Sequence, residues 1–429
     1  MSANSNHVNC YKPREKKLWC KECVPRCIIE GWTSENSDID EFIKNTIYNA
    51  KYFDDDDDYN DDYPLFLEWI PYDRFENIEK IGEGGFAKVY SATWICGKTI
   101  YTRHNDSWRK REPESIKVAL KKLNGSQNMT DKYLNELKTH WSLYNSNTGS
   151  LNFHGITRDP ETKEFVMVMQ YASEGNLRCI LLNNFNNILW EEKLLSLMNS
   201  AYDLKNLHEL GYLHKDFHSG NILLNYEDNE NISYISDFGL SDIGSSKSDN
   251  KVCGVLPYIA PEVLNNKPYT KSSDIYSFGV IMAELSSGMP PFYERKHDVG
   301  LALDICNGLR PEFGKGTPDI YKKLAYKCMD ANPEQRPKAK ELYVILHFWH
   351  NSTYGNCQDI KKFGSKGREI KDFFKEADKE IPKVSISYEK NLGAIYVSRA
   401  LTFSNLPEPI NSPIITSFLQ DSRLKNLEI

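Results

Sequence analysis

The order of three short segments in the second half of the chain constrains the fold more than any other feature. His214–Asn221 (HKDFHSGN) follows a stretch with helical spacing of apolar residues and precedes the apolar strand Ile222–Leu224. Asp237–Gly239 (DFG) follows a second strand pattern, and Ala260–Glu262 (APE) closes a polar loop. Taken alone, Asp and Asn on a loop could be turn formers. Because each segment also falls in its own structural context, chance co-occurrence in this order is very improbable.

A glycine cluster marks the first half of the chain. Phe75–Ile95 alternates apolar and polar residues, and Ile116–Leu123 is a further short strand pattern. Gly82–Val89 (GEGGFAKV) predicts a hairpin whose small residues let the backbone approach phosphate oxygens closely. A purely structural hairpin is the alternative, and a Walker loop is excluded because no Gly-Lys-Ser/Thr follows. From Leu189 helical spacing replaces alternation, so a strand-rich small unit should precede a helical large one.

Lys121 is the candidate phosphate-binding lysine. It ends the strand pattern Val118–Lys121, and Glu136 follows on the helical stretch Asp131–His140. A lysine held by a helix carboxylate can bind the α- and β-phosphates as a fixed point charge. Lys122 is the competing candidate, but its side chain should face the other side of the strand.

Together these segments resemble the catalytic domain of eukaryotic protein kinases, from about Phe75 to His347. The resemblance implies an α+β, bilobal protein-kinase fold, with a small β-rich N-lobe containing one main helix and a larger helical C-lobe. It also implies an enzyme that uses ATP and Mg²⁺ to phosphorylate a hydroxyl of a protein substrate. By position, Asp216 would be the catalytic base, and Asn221 and Asp237 would hold magnesium.

The resemblance further implies which residues surround ATP. Lys121 and Glu136 would form the ion pair of the N-lobe and contribute to catalysis. Met169 would be the gatekeeper, and the Ala172 backbone would lie next to adenine. The implied ATP-binding residues are Ile81, Gly82, Glu83, Gly84, Gly85, Val89, Ala119, Lys121, Met169, Gln170 and Ala172.

Two more matches concern the scaffold of the large lobe. Asp274 matches the buried family aspartate that ties down the catalytic loop. Glu262 and Arg336 match the ion pair that braces the activation segment, which runs from Asp237 to Glu262. Ordinary surface charge is the alternative, and the order and context of these residues argue against it.

The residues that distinguish acceptor hydroxyls form a mixed pattern. Serine/threonine kinases usually have a lysine two residues after the catalytic aspartate and a threonine eight residues before the APE glutamate. Here His218 takes the first place, Val255 stands one residue beyond the second, and Pro257 matches tyrosine kinases only partly. The mixture resembles the tyrosine-kinase-like group, most of whose members phosphorylate Ser and Thr, so Ser/Thr is favoured. Tyrosine or dual specificity is the open alternative.

The composition limits which binding partners and which cellular compartment we expect for this protein. With 60 acidic and 53 basic residues, the net charge of −7 argues against nucleic-acid binding, because phosphate contacts need a basic surface. No charged start with an apolar stretch precedes the ten cysteines, so reduced thiols in cytoplasm or nucleus are expected. The apolar stretch Ile275–Leu285 is too short to span a bilayer, so membrane insertion is not expected. The oligomeric state stays open.

Composition also divides the chain into four regions. They are a cysteine-bearing head (1–31), a helical and acidic linker (32–63), the kinase domain (64–349) and a polar, largely disordered tail (350–429). Ser37 is a candidate N-cap for a short helix from Asp38 to about Lys51. The tail holds one helical stretch near Gly367–Lys379.

The head carries possible metal ligands. His7, Cys10, Cys20 and Cys23 have a spacing compatible with a small zinc ribbon, and the alternative is a disordered arm. The head and Trp32–Ile43 also resemble leaders in a lineage-expanded fungal set of tyrosine-kinase-like proteins.

Two other functions compete with an active kinase. A catalytically weak or dead kinase fold could serve as a signalling scaffold, but dead versions commonly lack one of three residues that are present here, Lys121, Asp216 and Asp237. A zinc-dependent binding protein would require the head to dominate the chain's function.

Overall fold

The computed structural model divides into two compact units, the small unit (Met1–Asn147 with Leu151–Tyr171) and the large unit (Thr148–Ser150 with Ala172–Ile429). Strands dominate the small unit and helices the large one, which confirms the expected α+β class. The residues that the structure describes are 19, 24, 26–50, 65–84, 87–104, 107–111, 114–146, 150–227, 230–243, 252–354, 357–381 and 389–421.

The small unit is built on one sheet. Its elements are α1 (Arg26–Ile29), α2 (Ser37–Tyr48), β1 (Glu68–Trp69), β2 (Phe75–Glu83), β3 (Ala87–Trp94), β4 (Ile100–His104), β5 (Ser107–Arg111), β6 (Ile116–Leu123), α3 (Asp131–Asn145), β7 (Phe153–Arg158) and β8 (Phe165–Gln170). The sheet has the order β1-β7-β8-β6-β3-β2, with β1 parallel to β7 and the other neighbours antiparallel. Strands β4 and β5 form a separate hairpin.

Apolar alternation builds the core of this sheet. Val118 and Leu120 on β6 lie two residues apart, as do Val166 and Val168 on β8, and all four are buried together with Trp94. Residues two apart in a strand share a face, so the strand pattern places these side chains in one layer. Burying each of them contributes about 1.5–3 kcal/mol.

Helix α2 packs its apolar face within the small unit. Ile39, Ile43 and Ile47 recur every fourth residue and are all buried. Thr46 Oγ1 accepts a hydrogen bond of 2.9 Å from Leu67 N, which links the helix to the chain entering β1.

The sequence placed the N-cap of α2 one residue too late. Asn36 is the cap, since its Oδ1 accepts from the backbone nitrogens of Asp38 at 3.0 Å and Ile39 at 3.1 Å. Asn and Ser are about equally good caps, so composition alone cannot choose between Asn36 and Ser37. The helix ends at Tyr48, three residues before the expected end.

The large unit is mainly helical. Its elements are β9 (Gly175–Asn176), α4 (Leu177–Asn184), α5 (Trp190–Glu209), β10 (Tyr212–Leu213), β11 (Ile222–Glu227), β12 (Glu230–Ile235), β13 (Asp242–Ile243), β14 (Val252–Gly254), α6 (Pro261–Leu264), α7 (Lys271–Ser287), α8 (Val299–Cys306), α9 (Asp319–Cys328), α10 (Ala339–Tyr354), α11 (Cys357–Asp378), β15 (Arg399–Leu401) and α12 (Pro413–Gln420). Short 3-10 turns include Ser219–Asn221 and Leu256–Tyr258.

Helix α7 forms the centre of the large unit. Every residue from Ser273 to Ser286 is buried, because apolar side chains point in all directions from this helix. Gly288 ends it in the left-handed region at φ 74°, and a Cβ there would come within 2.5 Å of Phe185 Cγ. In the part of the chain that the structure describes, no helix is long and apolar enough to cross a membrane.

The stretch 350–429 contains regular secondary structure among its described residues. Its described residues include the end of α10, all of α11 and the run 389–421 with β15 and α12. Ile370 and Phe374 lie one turn apart on α11 and are buried, and the Phe374 ring is 5.3 Å from that of Trp190. A few apolar residues at helical spacing bury one face of α11 against the rest of the large unit, and the mean composition of the stretch does not reveal this pattern.

Candidate active site

Strand pairing in the small unit brings four candidate ATP-binding residues onto one face. Val89 on β3 lies opposite Lys121 on β6, and Met169 on β8 lies opposite Ala119. Ala119 and Lys121 are two residues apart on β6, so all four side chains point the same way. Gln170 follows as the last residue of β8.

Lys121 and Lys122 point to opposite faces, as the strand period requires. Lys121 Nζ lies 2.5 Å from Glu136 Oε1 on α3, and both side chains are buried. Lys122 Nζ instead lies 2.7 Å from Asp159 Oδ2 and 3.5 Å from Glu164 Oε2. The competing lysine is therefore held in a different ion pair, and Lys121 is the one clamped by the helix carboxylate.

The described part of the glycine hairpin has open space beside Gly82 and Gly84. Ile81, Gly82 and Glu83 end β2, and at the turn Gly84 N donates a 2.8 Å hydrogen bond to Ala87 O. Among the described residues, a Cβ on Gly82 or Gly84 would meet no atom closer than 3.9 Å, so packing against these residues does not require glycine at either position. Gly85 lies outside the described residues.

In the large unit, Asp274 holds the loop that precedes β11. Its Oδ2 accepts from His214 N at 2.9 Å and contacts His208 Nε2 at 2.9 Å, while its Oδ1 accepts from Lys215 N at 3.0 Å. Burial would raise the pKa of Asp274, but the bonds from His208 and the loop keep that pKa below its usual value. Lys215 takes the left-handed φ of 66°, a strained conformation for a residue with a side chain.

Asp216 is fixed at both its main chain and its carboxylate. Asn221 Nδ2 donates to Asp216 O at 2.9 Å, and Ser398 Oγ donates to Asp216 Oδ2. Burial raises the pKa of Asp216 to about 7, and the nearby negative charge of Asp237 adds to the rise. The result is a carboxylate with a basicity suited to accepting a proton near neutral pH.

Asn221 and Asp237 fit a magnesium ion. Asn221 Nδ2 donates a hydrogen bond to Asp216 O, and its Oδ1 is the atom that can bind a cation. Asp237 supplies carboxylate oxygens. Mg²⁺ prefers such hard oxygen ligands and keeps waters and substrate phosphates for the rest of its shell. Among the described residues, no cluster of three or more His, Cys, Asp or Glu could hold a metal ion.

Comparison with known families agrees with this geometry. The family described as protein tyrosine and serine/threonine kinase matches residues 75–346, more than half of the 429-residue chain. The chain belongs to this kinase family. The match spans both units and includes the hairpin, the Lys121–Glu136 pair and the loop around Asp216.

Several curated kinases are similar to this one. The probable serine/threonine-protein kinases drkA and drkB of Dictyostelium discoideum are 26% and 29% identical over 288 and 272 residues. These stretches cover 66% and 62% of this chain, and 41% and 36% of the relatives. The dual specificity protein kinase zakA of the same organism is 35% identical over 190 residues, which are 40% of this chain and 24% of its own. The chain thus spans less than half the length of these relatives.

The predicted brace of the activation segment forms in the kinase. Arg336 Nη1 and Nη2 donate to Glu262 Oε1 and Oε2 at 2.7 and 2.8 Å, a bidentate pair buried on both sides. Arg336 also donates to Ser272 O at 2.9 Å and Asp330 O at 2.8 Å. The planar guanidinium therefore joins α6, α7 and the chain after α9.

His218 stands where serine/threonine kinases usually have a lysine. Its Nε2 lies 3.7 Å from Asp216 Oδ1, and both residues are buried. Burial, with the nearby charge of Arg178, lowers the pKa of His218 well below 6.5. The imidazole is thus neutral at physiological pH and does not supply the positive charge that a lysine would. Val255 is buried as well.

Sequence reasoning missed a buried polar network beneath the loop. Glu284 Oε1 accepts from Ser219 Oγ at 2.8 Å, and its Oε2 accepts from Tyr258 OH at 2.6 Å. Arg178 Nε donates to Ser219 Oγ at 3.1 Å, and its Nη2 donates to Tyr258 OH at 3.3 Å. Glu284 is the one charged residue in the mainly apolar stretch Ile275–Leu285, and this was a signal, because such a charge is rarely buried without partners.

Ala172 belongs to the large unit, where its carbonyl accepts from Gly175 N at 3.4 Å. The candidate zinc ligands His7, Cys10, Cys20 and Cys23 lie outside the described residues.

Proposed function

We propose that the chain is an ATP-dependent protein kinase that transfers the γ-phosphate to a protein hydroxyl, with Ser and Thr favoured over Tyr. The observation that carries this proposal is the fixed loop that holds Asp216 beside Asn221 and Asp237. A buried carboxylate next to two oxygen donors for a cation suits phosphoryl transfer, in which most of the catalysis is positioning and charge stabilisation.

Each part of the site has a role in the proposed reaction. Asp216 accepts the proton of the acceptor hydroxyl as that oxygen attacks the γ-phosphorus, and ADP leaves with the bridging oxygen. Asn221 and Asp237 would hold magnesium, which would supply positive charge to the phosphate oxygens. Lys121, positioned by Glu136, pairs with the α- and β-phosphates.

The remaining predicted residues surround the nucleotide. The open backbone of the hairpin suits a lid over the phosphates. Met169 would border the adenine pocket, and the Ala172 backbone would bond its edge. We propose the full set named from the sequence as the ATP site, within a kinase domain of residues 64–349.

Acceptor choice rests on a weaker pattern. The neutral, buried His218 matches neither the lysine of serine/threonine kinases nor the arginine of tyrosine kinases. The Ser/Thr preference therefore follows from resemblance to the tyrosine-kinase-like group. Two of the relatives carry serine/threonine-protein kinase in their names and one carries dual specificity. We also propose that the chain is related to the lineage-expanded fungal set of tyrosine-kinase-like proteins that its head and Trp32–Ile43 resemble.

Phosphorylation of a degenerate peptide library tests the proposal. We expect phosphoserine and phosphothreonine products, and a loss of about 10²–10⁴-fold in rate for Asp216→Asn, because the proton acceptor is removed. ATP should still bind to this variant, since Lys121 and the magnesium ligands stay. Asp372→Asn makes the same charge change on the exposed face of α11 and should keep full activity.

Two outcomes would count against the proposal. Equal turnover by Asp216→Asn would overturn the role of Asp216. Nucleotide binding without any phosphopeptide would favour the alternative, a weak or dead kinase fold that acts as a scaffold.

We also propose that the head binds zinc through His7, Cys10, Cys20 and Cys23, and that the protein resides in the cytoplasm or nucleus. Two ligand pairs, each with two residues between its members, support the zinc site, and the expected reduced state of the thiols supports the compartment. Elemental analysis should find one zinc per chain in the native protein and none in Cys20→Ser. Equal zinc content in both proteins would refute these ligands.

Fluorescence microscopy of a tagged chain tests the proposed compartment.

A further inference from the structure

The run 389–421, called the C-terminal strap below, lies on the large unit and reaches Asp216. On the approach to Ser398, His297 N donates to Gly393 O at 2.9 Å, and Ala394 is 1% exposed. Tyr396 is held at both ends: Arg178 Nη1 donates to its carbonyl at 3.2 Å, and its OH donates to Pro291 O at 2.9 Å. The strap is thus anchored two residues before Ser398.

After Ser398 the strap joins the activation segment as a strand. Strand β15 (Arg399–Leu401) pairs antiparallel with β14 (Val252–Gly254), so that Arg399 lies opposite Gly254 and Leu401 opposite Val252. Arg399 Nη2 also donates to His297 O at 2.7 Å. Adding an extended segment to an exposed strand edge is a general way in which proteins bind peptides, because the main chain supplies the bonds.

Further contacts hold the strap beyond β15. Ile410 N donates to Cys306 O at 2.9 Å, and Asn411 Nδ2 donates to Asp330 Oδ1 at 3.0 Å. Ile415 on α12 is 1% exposed, and the ring of Phe418 lies 5.1 Å from Tyr326 on α9. Ser398 is therefore tethered on both sides.

The tethered serine meets the catalytic carboxylate directly. Ser398 Oγ donates to Asp216 Oδ2, which is the contact that a proton acceptor must make with its acceptor hydroxyl. Pairing with β14 and this hydroxyl contact are separate observations, and both are expected of a bound peptide substrate.

We propose that Ser398 is an intramolecular phosphorylation site, and that the unphosphorylated strap blocks other protein substrates from Asp216. This inference rests on the proposed function. Anchors on both sides make the reaction unimolecular, and such proximity raises rates strongly over a bimolecular encounter.

The reaction uses ATP and needs no further reactant. Ser398 Oγ attacks the γ-phosphorus and forms the new O–P bond, while the bond from phosphorus to the bridging oxygen breaks. ADP leaves with that electron pair, and the serine proton passes to Asp216 Oδ2.

The product destabilises the bound strap. A phosphoserine carries a charge of about −1.5 to −2 at pH 7, and at position 398 it lies against Asp216 in the neighbourhood of Asp237. Like-charge repulsion then separates the strap from β14 and opens the acceptor site. Phosphorylation of Ser398 thus releases the block that the strap imposes.

Phosphosite mapping of the full chain with ATP and Mg²⁺ tests the proposal. We expect phosphate on Ser398, with a first-order rate that is unchanged over a hundredfold range of protein concentration. In Ser398→Ala that phosphopeptide disappears, and phosphorylation of an added serine peptide stays slow. The wild type should instead accelerate on the peptide after a lag, at least severalfold, as Ser398 becomes modified. Ser404→Ala changes an exposed serine of the same strap and should behave as the wild type.

A second variant loosens the strap without removing the serine. Tyr396→Ala deletes the ring that packs on Arg178, with 5.0 Å between the guanidinium and the ring centre, and on His297 at 4.9 Å. It should phosphorylate Ser398 more slowly and added peptide faster from the first minute, with the lag removed.

The outcomes separate this inference from the proposed function. Peptide phosphorylation without phosphate on Ser398, or a Ser398 rate that rises in proportion to protein concentration, overturns the inference and leaves the function standing. An unchanged lag in Tyr396→Ala also overturns the block. Absence of phosphate on both peptide and Ser398 refutes the function and the inference together.

Discussion

Asp203 on α5 gives the kinase a pH-dependent stability that can be worked out from its surroundings. Burial raises the pKa of its carboxyl from 3.8 to about 8, against the lowering effect of the hydrogen bond from Ile235 N to Oδ2 at 3.0 Å. Because the unfolded chain releases this proton at lower pH than the folded chain, stability falls as pH rises from about 4 to about 8 and is level above that.

The size of the effect follows from the two pKa values. One pKa unit corresponds to about 1.4 kcal/mol, so the buried carboxyl costs about 3 kcal/mol at pH 6 and about 5 kcal/mol at pH 8. Asp203→Asn removes this titration but keeps an oxygen that can accept from Ile235 N. The variant should therefore gain about 2 kcal/mol of unfolding free energy relative to the wild type between pH 6 and pH 8.

Urea unfolding at half-unit steps of pH measures this difference. Asp372→Asn, with the same charge change at an exposed position, should keep a constant difference from the wild type over the whole range. A difference between Asp203→Asn and the wild type that does not change with pH would refute the reasoning, because no titration would then be coupled to folding.

Three further changes test the packing of the large unit. Burial lowers the pKa of Lys193 to about 7, so stability falls as pH drops from 10.5 towards 7, and Lys193→Met should raise the unfolding free energy at pH 7 by about 1–3 kcal/mol in urea titrations. Arg336→Lys should lower the melting temperature by several degrees, because a lysine cannot replace the two bonds to Glu262. Gly279→Ala should cost roughly 1–3 kcal/mol in the same urea assay, since its Cβ would lie 2.8 Å from Ala325 O; an unchanged midpoint would show that the α7–α9 contact can relax.

Local patterns predicted the small unit well because a strand's alternation fixes which way its side chains point. The assignment of Lys121 over Lys122 needed only that period, and the two observed ion pairs agree with it. The cap of α2 was displaced by one residue, from Ser37 to Asn36, because neighbouring capping residues compete on equal terms.

The sequence by itself determined the family, the order of its segments and the side chains that carry the chemistry, since these depend on residue type and short spacing. Only the tertiary structure decided the network around Glu284 and the strap that brings Ser398 to Asp216. These two residues are 182 positions apart, and their contact depends on anchors at Tyr396, β14 and α12. No local period encodes such a contact, because specific hydrogen bonds and a few buried side chains from distant parts of the chain hold the strand in place.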